Sequence, residues 1–95
     1  MNRALVVTAE AEADIAQAKE WYLSQSSRAA ERFRNAVDLA LETIERNPGQ
    51  YQIVYRQTRR VLLDEYPYAL FYTVSETQVT VVSCFHTARD PKLWR

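Results

Sequence analysis

The chain has 95 residues, with 12 Lys and Arg against 12 Asp and Glu and a hydrophobic share of 47 %. That length makes one domain, residues 1–95, with a single modest core. The balanced charge excludes a global field that would draw the chain to a phosphate backbone. The single cysteine, Cys84, cannot close an internal disulfide, and no apolar run reaches membrane-spanning length. No amphipathic or apolar leader precedes the first structural signal, so the cytoplasm is the expected compartment.

Arg3 to Thr8 is short and β-branched and reads as a first strand. Thr8 can cap the helix that follows, with Glu10 and Glu12 in its first turn. From Ala9 to about Gln25 the residues Ala11, Ile15, Ala18 and Tyr22 recur at helical spacing, and Trp21 widens that stripe. Ser24 to Ser27 is a polar break with two candidate caps, Ser26 and Ser27. A second helix then runs to about Arg46 on the stripe Ala30, Phe33, Val37, Ala40, Leu41 and Ile44. Asn47-Pro48-Gly49 stops it. So short a break predicts a helical hairpin. Gln50 to Thr58 is ambiguous between an extended approach to the sheet and a turn.

From Arg59 to His86 the chain reads as a three-stranded meander. Val61 and Leu63 alternate with Arg60, Leu62 and Asp64. Tyr68, Leu70, Tyr72 and Val74 alternate with Ala69, Phe71 and Thr73. Val79 and Val81 alternate with Thr80, Val82 and Cys84. Pro67 and Ser75 to Gln78 break the runs, and short connections imply antiparallel neighbours. Asp90 followed by Pro91 predicts a final helical turn that docks Leu93 and Trp94. The expected fold is α+β in two layers, β-α-α-β-β-β, with a helical hairpin packed on a small, mainly antiparallel sheet.

Several chemistries lack their residues. The only glycine is Gly49, so there is no glycine-rich phosphate loop, and one His with one Cys makes no metal constellation. No cofactor and no metal are expected. What remains is a basic and aromatic set: Arg56, Arg59, Arg60, Tyr66, Tyr68, Tyr72, His86, Arg89, Trp94 and Arg95. Arginines grip phosphate or carboxylate, and a histidine such as His86 could move a proton near neutral pH. The plainer roles are core tyrosines for Tyr68 and Tyr72, a hydrogen-bonded strand end for His86, a solvated strand start for Arg59 and Arg60, and a docking anchor for Trp94. One pattern resists them. Leu62, Ala69, Phe71, Val82 and Cys84 make the second face of the meander apolar, where a one-sided sheet should show polar residues to water. Such a face predicts a protein partner.

The residues then carry a family resemblance. Ala11, Asp14, Ile15, Ala18, Trp21 and Tyr22 form an A-x-x-D-I-x-x-A-x-x-W-Y motif. The Asn47-Pro48 stop, the run RRVLLDEYPYALFYTV from Arg59 to Val74, and HTARDPKLW from His86 to Trp94 accompany it. Over nearly its whole length the chain resembles the RelE/ParE superfamily of toxins from type II toxin–antitoxin modules, and more closely the ParE-like, plasmid-stabilisation branch.

The resemblance implies a small growth inhibitor neutralised by a cognate antitoxin, with any DNA contact made through the antitoxin. Two activities occur on this fold: ParE-like members poison DNA gyrase, and RelE-like members cut mRNA on the ribosome. Fold does not choose between them. The nuclease pattern sets basic residues on alternate positions of the first meander strand, an arginine early in the middle strand, and an arginine with an acid–base group near the C-terminus. Here Arg60 fills the first position, but Leu62 and Ala69 stand at the next two, Arg89 fills the C-terminal arginine position and Arg95 falls where a tyrosine is common. A nuclease would rest on Arg60, His86 and Arg89. A gyrase inhibitor would present Arg59, Arg60, Arg89, Trp94 and Arg95 to its target. The antitoxin is expected on Leu62, Phe71 and Val82, or in the groove beside the hairpin near Trp21 and Tyr22. A binding module that is no longer toxic is a third reading.

Overall fold

The computed structural model describes residues 3–89. The chain opens with strand β1 (Ala4–Val7), followed by helices α1 (Ala9–Gln25) and α2 (Ser27–Arg46) and a short 3-10 turn at Pro48–Gln50. Strands β2 (Ile53–Tyr55), β3 (Thr58–Leu62), β4 (Tyr68–Val74) and β5 (Gln78–His86) complete the sheet, and a second 3-10 turn spans Thr87–Arg89. The sheet order is β1-β5-β4-β3-β2. β1 lies parallel to β5, and the other three pairings are antiparallel.

Both helices begin where the sequence supplies an oxygen for their orphan amides. The Thr8 hydroxyl accepts from the Ala11 N–H at 3.1 Å, and the Ser26 hydroxyl accepts from the Ala29 N–H at 3.0 Å. Ser26 also donates its own N–H to the Tyr22 carbonyl at 3.0 Å. One extended serine therefore ends α1 and starts α2, and Ser27 is already helical. The helices bury Ala11, Ile15, Ala18, Phe33, Val37 and Ile44 against Val61, Leu70, Tyr72, Val79 and Val81.

The fold class is as expected, with two corrections. The ambiguous segment contains a fourth C-terminal strand: β2 joins β3 through the two-residue loop Arg56-Gln57, with Arg56 at φ 51°. The second correction concerns the faces of the sheet. In the β4–β5 ladder Phe71 pairs with Ser83 and Tyr72 with Val81, so Val82 is an extra, unpaired residue, a β-bulge. Past the bulge the alternation changes phase. Cys84, expected beside Leu62 on the outer face, belongs to the helix-side core at 3 % exposure. Trp21, expected in the α1 core stripe, is 58 % exposed.

Candidate functional site: an aromatic cleft and an apolar outer face

The register puts two rows across the outer face of β3, β4 and β5. One is Leu62, Ala69 and Phe85; the other is Arg60, Phe71 and Ser83. Leu62 is 58 % exposed, but Ala69 and Phe71 are each at 1 %. The expected open apolar face is therefore largely closed. Phe71 lies against the Phe85 ring, with centroids 5.8 Å apart. As an expected antitoxin contact Phe71 is inaccessible in this state. Val82, at the bulge, is half-buried.

Arg59 is committed to the fold. Its Nη1 donates to the Tyr51 carbonyl at 2.5 Å and to the Gly49 carbonyl at 3.4 Å. Those bonds tie the α2–β2 connection to β3. The buried Tyr72 hydroxyl does the same from β4, donating to the Pro48 carbonyl at 2.7 Å. Burial, only partly offset by the Arg59 charge, pushes the Tyr72 phenol up to about 12.

Trp21 and Tyr22 meet on the other side of the molecule, where the second half of α1 passes the ends of β4 and β5. Tyr22 stacks on Phe33 at 5.0 Å and meets Tyr66 edge-on at 5.2 Å. Tyr68 meets Phe33 at 5.4 Å and His86 at 5.2 Å, so His86 closes the aromatic cluster. The His86 Nδ1 accepts from the Ala88 N–H at 3.1 Å, which leaves the neutral ring its proton on Nε2. Burial, then the neighbouring Tyr68 and Tyr66, raises the Tyr22 phenol above its ordinary value.

A recess of about 350 Å³ opens here, lined by Trp21, Tyr22, Pro67, Tyr68 and His86. A second, of about 230 Å³, shares Trp21, Tyr68 and His86 with it and reaches Asp14, Gln17 and Cys84. Asp14 bridges the layers, its Oδ2 accepting the Cys84 N–H at 3.0 Å. Burial, then that carboxylate, pushes the Cys84 thiol up to about 12, which makes it an inert packing group. Among the described residues no cluster of His, Cys, Asp and Glu could hold a metal ion.

The sheet divides the residues expected to act together. Arg60 lies on the outer face, between the core residue Val61 and the committed Arg59, whereas His86 pairs with Tyr68 on the helix side. Arg89 sits in the turn that follows β5. Trp94, Arg95 and the turn expected at Asp90-Pro91 lie outside the described residues. Asp14 and Pro67 belong to the cleft but not to the basic and aromatic set that the sequence offers, whereas Tyr68 belongs to both. The Asp14 signal was present in the A-x-x-D-I motif, one helical turn before Ala18.

Comparison with known proteins fits this architecture. The model of the family "ParE toxin of type II toxin-antitoxin system, parDE" matches residues 5–91. No curated protein sequence matches the chain. A solved structure described as a chromosomal ParDE TA system from P. aeruginosa superposes with a TM-score of 0.78 at 13 % identity, covering 88 % of this chain and 95 % of that one. A YoeB dimer from Staphylococcus aureus superposes with a TM-score of 0.60 at 15 % identity, over 88 % of this chain and 95 % of that one. At such identities the superpositions speak for the fold alone, while the family model spans almost the whole sequence. The chain belongs to the ParE toxin family of type II toxin–antitoxin systems.

Proposed function

We propose that this toxin acts by binding rather than by cutting, as a ParE-type inhibitor of DNA gyrase, and that a cognate antitoxin neutralises it. The observation that carries the reading is the placement of Arg60 and His86 on opposite faces of the sheet. RNA cleavage through a 2′-hydroxyl needs a proton acceptor and a cation at one phosphate. Leu62 and Ala69, at positions where the nuclease pattern carries cations, support the same reading. So does Arg59, which spends its guanidinium on backbone carbonyls. The ParDE system that shares the fold supports an antitoxin partner, through which any DNA contact would be made. Among the described residues no helix is long and apolar enough to cross a membrane, and with gyrase as target the place of action is the cytoplasm.

The test is supercoiling by purified gyrase with added protein. Inhibition that rises with protein concentration supports the reading, and undiminished supercoiling at large excess rejects it. Primer extension on translated message, run in parallel, reads the alternative: new 5′ ends after induction would make the protein a ribosome-dependent mRNA endonuclease.

A further inference from the structure

β1 ends at Val7, paired with Val81, but β5 runs on to His86. Among the described residues no strand continues beside β5 past that point. In the β4–β5 ladder Phe85 and Ser83 direct their backbone groups to β4, because they alternate with Cys84 and His86 and the Thr87 N–H already returns to the Pro67 carbonyl at 2.8 Å. Cys84 and His86 therefore turn theirs to the vacated edge. One of those groups is satisfied from α1, the Cys84 N–H by Asp14. Among the described residues no partner meets the Cys84 C=O or the His86 N–H, on an edge that borders the cleft.

The cleft has a defined chemistry. Its walls are the Trp21, Tyr22, Tyr68 and His86 rings, and Trp21 stands 58 % exposed. Among the described residues the lining of the two recesses offers one carboxylate, Asp14, and no lysine or arginine. Aromatic faces attract a cation, and a carboxylate with one oxygen bonded to Cys84 keeps its other oxygen for a second donor.

We propose that this notch receives an extended segment of a partner protein, added as a strand beside Cys84–His86, with an arginine or lysine of that segment seated among Trp21, Tyr68 and Asp14. Main-chain bonds to the Cys84 C=O and His86 N–H hold the strand, and the aromatic and acidic walls select the side chain. The proposal deepens the reading that a protein partner covers this chain. It does not depend on gyrase being the target, so a negative supercoiling assay leaves it standing.

The test uses the full-length, 15N-labelled protein and two synthetic peptides, acetyl-Val-Arg-Val-Arg-Val-amide and its counterpart with glutamine for arginine. Titration of the arginine peptide is expected to shift the Cys84 and His86 amides and the Trp21 indole, with affinity several-fold above that of the glutamine peptide. Trp21→Ala and Asp14→Asn should each erase that preference. Trp21 is exposed, so the first variant leaves the fold intact; the second keeps an oxygen for the Cys84 N–H. Four results overturn the proposal: no shifts up to about 5 mM peptide, which corresponds to about −3 kcal/mol; shifts confined to the Ile53–Tyr55 edge; equal affinity for both peptides; or the same shifts on concentrating the free protein, which would assign the notch to a second copy of the chain.

Discussion

Removing one oxygen tests how the helical layer is fastened to the sheet. The Tyr72 side chain is fully buried, and its hydroxyl donates to the Pro48 carbonyl at 2.7 Å. In Tyr72→Phe the ring still fills its place, but a buried carbonyl loses its donor. Such a loss costs about 1–3 kcal/mol. For a domain of this size that lowers the thermal midpoint by about 4–24 °C. The same oxygen sets a pH dependence. The Tyr72 phenol is pushed from 10.0 to about 12 in the folded chain. As pH rises past 10 the unfolded chain gives up this proton first and so binds fewer protons than the native state. Stability therefore falls with rising pH across that window and is unaffected by this group below it. The contribution lost by the top of the window is about 3 kcal/mol. Urea unfolding of the wild type and of Tyr72→Phe at neutral pH and at about pH 10.5 reads both effects. The variant should have the lower midpoint at neutral pH and the shallower decline above pH 10. Equal midpoints at neutral pH, or parallel declines, would refute the account of this residue.

Asp14→Ala removes the acceptor of the Cys84 N–H and should destabilise the protein by about 1–3 kcal/mol, measured by denaturant midpoint, while Asp14→Asn should recover most of that. Leu62→Lys, on an exposed side chain, should move stability by no more than about 0.5 kcal/mol, whereas Phe71→Lys, at 1 % exposure, should unfold the protein or shift its midpoint severely; similar midpoints for the two would contradict the assigned burial. The Cys84 thiol, buried and pushed up to about 12, should resist a thiol-specific reagent at neutral pH and react at the rate of unfolding; fast labelling of the native protein would show the site is open.

The helices were legible because their signals are local. Thr8 and Ser26 are capping residues in the sequence and in the structure, and the stripe from Ala30 to Ile44 is the buried face of α2. Strand β2 was not legible, because a two-residue hairpin ordinarily advertises itself with Asn or Gly and this one uses Arg56 at φ 51°. The parallel pairing of β1 with β5 is equally silent in the sequence, since the partners are more than seventy residues apart. At the candidate site, the sequence points to a groove at Trp21 and Tyr22, but their meeting with Tyr68 and His86 depends on tertiary packing that no spacing encodes. Arg59 and Arg60 are adjacent and alike in sequence, yet one bonds the Tyr51 carbonyl and the other takes the outer face.

Val82 shapes both surfaces, because it shifts the register of β5 against β4. Strict alternation through β5 would put Val79, Val81, Ser83 and Phe85 on the core side and Cys84 with His86 outside. That would bring His86 round to the side of Arg60. The bulge reverses the second half of the strand. Cys84 then packs in the core and His86 closes the aromatic cleft, while Ser83 and Phe85 go to the outer face with Phe71 and Ala69. The same phase change that separates His86 from the Arg60 cation also brings it to α1, beside Trp21 and a stretch of strand edge that no described strand covers. Chemistry at one phosphate needs its groups within a few ångströms of each other. Recognition of another polypeptide does not, because main-chain pairing and side-chain pockets can be spread along an extended segment. An inserted valine that disperses the first arrangement and assembles the second favours a protein that works by being clasped.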